Sequence, residues 1–197
     1  MNQMRGHWGT NTAAAVTCVL LGTCGSACDL DPQCEEATDL VAGDAWTFVE
    51  PSDDAVWVAP ADAALCASSA LQVQTFGDDV ALEVDTRLGC GWATATQPLR
   101  VDIVEGEELQ VRVFYFSQAT FPAAQAEVAI AIGADIVMRE LVDIPTTSGL
   151  IAPRLPVLRN ASAGTPVQFH IGNHGDNSWN LVELSAITRV ACENSGP

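Results

Sequence analysis

The chain has 197 residues and sets 25 Asp and Glu against 8 basic residues, a net charge of −17. All of the basic residues are arginine, so a lysine Schiff base and a lysine-containing phosphate loop are excluded. A surface this acidic repels phosphate backbones and anionic headgroups, which argues against nucleic-acid binding and peripheral membrane attachment. It is compatible with cation binding or with life in salty water.

Residues 1–27 have the pattern of an export signal of the lipoprotein type. They carry one Arg and no acid, and the nine apolar-rich residues 13–21 run into a lipobox-like Leu21–Cys24. Nine residues fit a signal core of roughly 7–15 and fall short of the roughly 20 that span a bilayer. Leu21 favours lipidation of Cys24, whereas Ala27 favours Cys28. Cleavage after Ala27 without a lipid is a third alternative.

Residues 28–44 are acidic and rich in turn formers, and they predict a tether. A folded domain is then expected over 45–193, followed by a short tail at 194–197. A domain of this length is large enough to bury a hydrophobic core of its own.

The cysteine count bears on the lipid, because thiols of an exported chain tend to pair in an oxidising compartment. Lipidation of Cys24 leaves an odd number of cysteines in the mature chain, and lipidation of Cys28 leaves an even number. The even number therefore favours Cys28 as the lipidated residue, whereas the position of the apolar segment favours Cys24. No C-x-x-C zinc spacing is present. We expect disulfides with Cys66–Cys192 as the preferred pair, among the candidates Cys34, Cys66, Cys90 and Cys192.

From residue 45 onward the hydrophobic pattern has the period of two that is typical of strands. Leu99–Val104 and Leu109–Tyr115 alternate clearly, and Val128–Met138 predicts a hairpin around Gly133, although nearby alanines leave a helix start open. Further strands are predicted at 46–49, 56–58, 71–76, 80–84, 92–96, 167–171 and 179–190, with one helical turn within 60–70. This pattern indicates an all-β fold, an antiparallel β-sandwich or jelly roll of about 8–10 strands.

Catalytic motifs are scarce. The sequence contains no G-x-S-x-G, H-E-x-x-H or G-x-G-x-x-G, and only His170 and His174 lie outside the signal. His170 lies between apolar strand residues and is expected on a polar face or in the core. A hydrolase would depend on His174 and nearby carboxylates, so no catalytic residue is assigned.

Two loops carry candidate binding residues. The first is 172–180, whose amides, carboxylate, imidazole and indole suit sugar hydroxyls, a calcium ion or a pyranose face; its candidates are Asn173, His174, Asp176, Asn177 and Trp179. The second is 86–92, where Arg87 can pair with a carboxylate and Trp92 can line a groove. The alternative is that both are ordinary turns and that the tryptophans belong to the core.

Gly164–Phe169, the loop after it and Asn180–Leu184 resemble the closing two strands of galactose-binding-like jelly rolls, including many carbohydrate-binding modules. The resemblance covers roughly Leu99–Cys192. The resemblance implies that ligands bind on loops at one edge of the sandwich and that a structural calcium is often present. Asn173 and Asp176 are the candidate calcium ligands. No other cofactor is expected.

Together these observations predict an exported, lipid-anchored, noncatalytic binding module in the cell envelope, with polysaccharide as its partner. The alternative is a structural envelope protein that contacts another protein and binds no small ligand. A hydrolase is the least favoured function. Contact with the membrane is expected only through the lipid.

Overall fold

A computed structural model describes residues 33–77, 79–120, 122–173 and 176–192. The predicted signal at 1–27, which contains Cys24, lies outside the described residues, as do Cys28, His174 and the predicted tail at 194–197. Within the described ranges, no helix has both the length and the apolar character needed to cross a membrane.

The described residues form strands with almost no helix. Two short 3-10 helices occur, at Ser68–Ala70 and Thr86–Leu88. In chain order the strands are β1 Gln33–Asp39, β2 Thr47–Phe48, β3 Leu71–Phe76, β4 Asp79–Asp85, β5 Trp92–Pro98, β6 Glu108–Tyr115, β7 Ala124–Ile132, β8 Asp135–Ile144, β9 Gly149–Ile151, β10 Arg154–Pro156, β11 Pro166–Gly172 and β12 Ser178–Ala191.

The strands form two antiparallel sheets, and the all-β sandwich prediction is confirmed. A seven-stranded sheet has the order β10-β6-β12-β4-β3, with β9 also on β6 and β1 also on β12. A five-stranded sheet has the order β2-β5-β11-β7-β8. The strand count exceeds the expected number because short edge strands such as β9 and β10 carry too few residues to show a period.

The core lies between the sheets and follows from strand alternation, since every second side chain points inward. In the seven-stranded sheet Val84, Trp179 and Tyr115 lie side by side on neighbouring strands, and the tryptophan is fully buried. In the five-stranded sheet Phe169 and Ile130 are paired across β11 and β7 and are fully buried.

The predicted tether is wrong over part of its length. Gln33–Asp39 forms β1, which pairs along its whole length with β12. All seven of its residues are exposed, so the strand carries no hydrophobic pattern and its acidity predicted a linker instead. Its backbone hydrogen bonds and one disulfide hold it in place.

The preferred disulfide Cys66–Cys192 is also wrong. The structure pairs Cys34 with Cys192 and Cys66 with Cys90. The amide of Cys66 donates to the carbonyl of Trp92 at 2.9 Å, which places Cys66 beside Cys90. Cys192 directly follows β12, whose last residue, Ala191, pairs with Gln33 of β1, so Cys34 is the cysteine within its reach. All four candidate cysteines are therefore paired.

Two predicted strands are not formed. Leu99–Val104 buries Leu99 and Ile103, but it meets the loop at 161–165 through scattered backbone hydrogen bonds and forms only an isolated bridge at Ile103. The segment 56–58 is held in a turn, because the Asp54 carboxylate accepts from the amides of Val56 and Trp57. The hairpin of β7 and β8 is confirmed, with Gly133 at a positive φ of 62°.

Candidate functional site

The two predicted binding loops meet at one end of the sandwich. They meet because β5 and β11 are neighbours, with Trp92 at the start of β5 paired to Gly172 at the end of β11. The amide of Asn173 donates to the carbonyl of Gly91 at 2.6 Å. A Cβ on Gly91 would collide with the backbone carbonyl of Asn173, so glycine permits this close approach.

A pocket of about 610 Å³ opens where these loops meet, and we call it the end pocket. It brings together four of the predicted residues, Arg87, Trp92, Asn173 and Asp176. Sequence reasoning did not include the carboxylates of Asp62 and Glu127, which also line it. This volume lies within the roughly 300–1,000 Å³ of small-ligand sites.

The guanidinium of Arg87 is held by Asp85, as expected for an arginine near a carboxylate. Its Nε and Nη2 donate to the two carboxylate oxygens of Asp85, each at 2.8 Å. The backbone amide of Arg87 also donates to Asp85 Oδ1, at 2.9 Å. The hydrogen bond from Arg87 holds the pKa of Asp85 below its ordinary value. The Arg87 side chain stays 56% exposed, so it is fixed and accessible to a ligand.

Trp92 lines the end pocket and rests on a buried aromatic layer. Its ring makes a T-shaped contact with His170 at a centroid distance of 4.4 Å, and Trp57 stacks on the same imidazole at 4.4 Å. Burial lowers the pKa of His170 to about 4, so the imidazole is neutral in the folded protein near neutral pH. His170 is therefore a core residue that supports the pocket wall.

Asn173 forms part of the pocket wall. Its side chain is 3% exposed, and its Nδ2 donates to Thr86 Oγ1 at 3.1 Å and to Gln118 Oε1 at 3.3 Å. These bonds join the end of β11 to the 3-10 helix and to the loop after β6. The Nδ2 donors of Asn173 are thus directed at protein neighbours, and its role as a ligand contact stays a prediction.

The remaining residues of this loop divide between two places. Asp176 is exposed at the rim of the end pocket. Asn177 lies outside this pocket, with its Nδ2 donating to the carbonyl of Ser117 at 2.6 Å and its Oδ1 accepting from the amide of Ser178 at 2.9 Å. Among the described residues there is no group of three or more His, Cys, Asp or Glu placed to hold a metal. Calcium binding stays a prediction.

Trp179 is not a ligand-binding residue. It is fully buried and packs on Tyr115, with ring centroids 4.9 Å apart. The alternation of β12 explains this, since Trp179 and Leu181 point inward while Asn180 points outward. An indole in this position cannot stack on a sugar in solvent.

The outer face of the seven-stranded sheet carries a second set of polar and apolar groups that sequence reasoning missed. One row crosses five strands in register: Gln72, Glu83, Asn180, Phe114 and Leu150. Polar residues on an outer face are ordinarily solvated, yet Glu83 is 3% exposed and Asn180 fully buried. Neighbouring side chains therefore shield them.

A cleft of about 260 Å³ lies over this row, and we call it the aromatic cleft. Phe76 and Phe116 line it at 39% and 40% exposure, and Phe114 meets Phe116 edge to face at 5.0 Å. Asn180 also lines it, and the buried Oδ1 of this residue has no hydrogen-bond partner among the described residues. The exposed rings of Phe76 and Phe116 suit a ligand with an apolar face, whereas the Asn180 Oδ1 is buried and has no contact with solvent.

The end pocket and the aromatic cleft adjoin at Arg87, which lines both. Besides Asp85, its Nη2 approaches Glu83 Oε1 at 3.8 Å, so the guanidinium reaches over the outer face of the sheet. The side chain of Glu83 in turn accepts a hydrogen bond from Gln74. A ligand that extends along the surface can therefore contact both depressions.

The structure is similar to several solved carbohydrate-binding modules. TmCBM27, a module described for specific mannan recognition, matches with a TM-score of 0.48 and 11% identity over 81% of this chain and 99% of its own. The N-terminal cellulose-binding domain of Cellulomonas fimi β-1,4-glucanase C matches at 0.37 and 11% over 81% and 96%. A module of the CBM4 type matches at 0.37 and 10% over 74% and 94%.

No protein-family model matches the sequence, and no curated protein matches it.

Proposed function

We propose that this chain is an exported, noncatalytic binding module whose ligand is a polysaccharide. The observation that carries the proposal is the junction at Arg87, whose side chain lines both the end pocket and the aromatic cleft. Trp92, Phe76 and Phe116 offer ring faces to sugars, and Arg87 and Asp176 offer a donor and an acceptor to hydroxyls. A chain-like ligand suits two adjoining depressions better than a compact one does.

The two disulfides support export, since disulfides persist in oxidising compartments. They also bear on the lipid. The four paired cysteines are all the cysteines that follow Cys28, so lipidation of Cys28 leaves no unpaired thiol in the mature chain. We therefore propose Cys28 as the anchored residue of an envelope protein.

Mass spectrometry of the mature N-terminus tests this proposal. We expect a diacylglyceryl-modified Cys28 as the first residue. A mature chain that begins at a modified Cys24, or at an unmodified residue, would remove the support that cysteine parity gives to Cys28.

A glycan array of plant, algal and bacterial polysaccharides, probed with and without calcium, tests the binding function. We expect binding to at least one extended polysaccharide, with longer oligosaccharides bound more tightly than short ones. Loss of binding when calcium is removed would support a metal at Asp176. Absence of binding in both conditions would favour the alternative, a structural envelope protein without a small ligand.

Substitutions locate the surface. Arg87→Ala and Phe116→Ala are each expected to weaken glycan binding at least about fivefold, the effect of about 1 kcal/mol for one aromatic or hydrogen-bonded contact. Isothermal titration calorimetry provides the measurement. Arg154→Ala is the matched control, because Arg154 is also a half-exposed arginine paired with an acid, Glu35 at 2.9 Å, and it lines neither depression. Equal losses in the control and the test variants would contradict the assignment.

A further inference from the structure

Strand β3 forms an open edge of the seven-stranded sheet. Leu71–Phe76 pairs with β4 on one side, and among the described residues no strand pairs with its other side. Four of its six residues are exposed, including Val73 at 54% and Phe76 at 39%. Its outer backbone N–H and C=O groups therefore offer a template for another strand.

This edge carries no charge. Its sequence, LQVQTF, has high β-propensity and contains no Asp, Glu, Arg, Gly or Pro, whereas the whole chain carries 25 acidic residues. Proteins ordinarily protect exposed edges with charges, prolines, bulges or short strands. β3 has none of these devices.

The other edges of the described sheets are protected. β8 carries Arg139 and Glu140 and has a bulge opposite Ile130. β1 carries three acids in seven residues. β2, β9 and β10 have two or three residues each, and β10 ends on Pro156. The contrast singles out β3 as the edge that tolerates a partner.

We propose that two copies of this chain associate through β3 and pair antiparallel about a two-fold axis at Val73. This register places Val73 opposite Val73, Leu71 opposite Thr75 and Gln72 opposite Gln74. Side chains alternate between the two faces of a strand, so odd-numbered and even-numbered residues of β3 lie on opposite faces. In this register odd residues pair with odd and even with even, so the two members of each pair lie on the same face of the sheet. The result is one continuous sheet with a closed two-fold interface.

Charge argues for a second copy at this edge rather than elsewhere. Two acidic molecules repel each other over most of their surfaces, and β3 is a segment where close approach brings no charge together. The charged β4 strands of the two copies would lie three strand spacings, about 14 Å, apart. That distance exceeds the Debye length of about 8 Å at physiological salt, so repulsion between the exposed Asp79 carboxylates is largely screened.

The dimer would have a consequence for binding that rests on the proposed function. Because the two-fold axis is perpendicular to the sheet, both aromatic clefts would face the same side. A surface of repeated ligand would then be bound by two sites at once, with the gain in avidity that linked sites provide. The association itself does not depend on any glycan.

Analytical ultracentrifugation of the mature chain without glycan tests the pairing. One short strand makes a small interface, so we expect a weak dimer with Kd of about 10–100 μM. Val73→Lys should give a monomer at all concentrations, since it sets two like charges opposite each other at the axis. Val104→Lys is the matched control, because Val104 is 53% exposed and lies outside β3.

A mixing experiment distinguishes lost pairing from lost folding. Val73→Lys and Val73→Glu are each expected to be monomeric with the circular dichroism of the wild type, and an equimolar mixture should form a heterodimer. A wild type that stays monomeric at about 0.5 mM, well above the expected Kd, would overturn the proposal. A dimer that survives Val73→Lys, or one that Val104→Lys disrupts equally, would also overturn it. Glycan binding by a monomeric wild type would leave the proposed function standing.

Discussion

Removal of the Cys34–Cys192 disulfide is expected to lower the free energy of unfolding by up to about 5 kcal/mol. The bridge spans a sequence separation of 158 residues, against 24 for Cys66–Cys90. In the chain-entropy description a longer closed loop constrains the unfolded chain more, and the shorter bridge corresponds to about 3.5 kcal/mol. A domain of this size is ordinarily stable by about 5–15 kcal/mol, so the loss is a large fraction of the total.

The measurement compares two double variants, Cys34→Ser with Cys192→Ser and Cys66→Ser with Cys90→Ser, by guanidinium unfolding. The first pair should show the lower midpoint. Hydrogen exchange should also show early loss of protection in β1, because all residues of that strand are exposed and little apolar burial holds it. If the second pair is the less stable one, packing near the end pocket outweighs loop entropy and the prediction is wrong.

Prediction from the sequence succeeds for strands whose apolar and polar residues alternate and that pair with a neighbouring strand over most of their length. β3, β6, β11 and β12 follow this rule, since a period of two is a local property that pairing in either sheet preserves. β1 breaks it because both of its faces are exposed, so no alternation was needed. Leu99–Val104 is the opposite exception: its residues alternate, but it does not form a strand. Its neighbour is a loop, which provides only scattered backbone hydrogen bonds and one isolated bridge.

The sequence identified several residues of the candidate site, but it did not predict that they come together. Arg87 and Trp92 stood out as a charged and an aromatic residue in one short turn, and Asp176 as an acid in a polar loop. That they meet follows from the adjacency of β5 and β11, which no single segment specifies. For Trp179 the structure selects the alternative that it belongs to the core, and its alternation with Asn180 and Leu181 is the sequence signal for that burial.

The aromatic cleft had no sequence signal at all. Phe76 ends β3 and Phe116 follows β6, and two strands, β4 and β12, lie between them in the sheet. Strand order is a long-range property, so residues 40 positions apart give no indication that they will share one depression. The same limit explains the disulfide error, since the pairing of Cys192 with Cys34 depends on β1, a strand that has no hydrophobic pattern in the sequence.

The stability of the fold is expected to fall by about 3 kcal/mol as the pH is lowered from about 6.5 to about 4, because of His170. Burial lowers the pKa of this imidazole from its ordinary 6.5 to about 4, while the nearby charges of Asp54 and Arg139 act in opposite directions. The Nδ1 atom lies 2.9 Å from the hydroxyl of Thr94, and the buried Nε2 has no hydrogen-bond partner among the described residues.

The direction follows from proton binding in the two states. Between the two pKa values the unfolded chain holds a proton on His170 that the folded chain lacks, so acid favours unfolding. Above pH 6.5 both states are neutral at this residue and its contribution is constant. Because Trp57 and Trp92 pack on the imidazole, its protonation in the folded protein also disturbs the wall of the end pocket, so glycan affinity should weaken as the pH falls through about 4.

Guanidinium midpoints measured at half-unit steps from pH 4.5 to 7.5 test this dependence, a range that stays above most carboxylate titrations. His170→Gln should be less stable than the wild type near neutrality, and its midpoint should vary less with pH. NMR titration of the histidine ring signals, with the His170→Gln variant to assign them, gives the pKa directly. A His170 signal that titrates near 6.5 would place the imidazole in solvent, and it would contradict both the aromatic layer and its role in supporting Trp92.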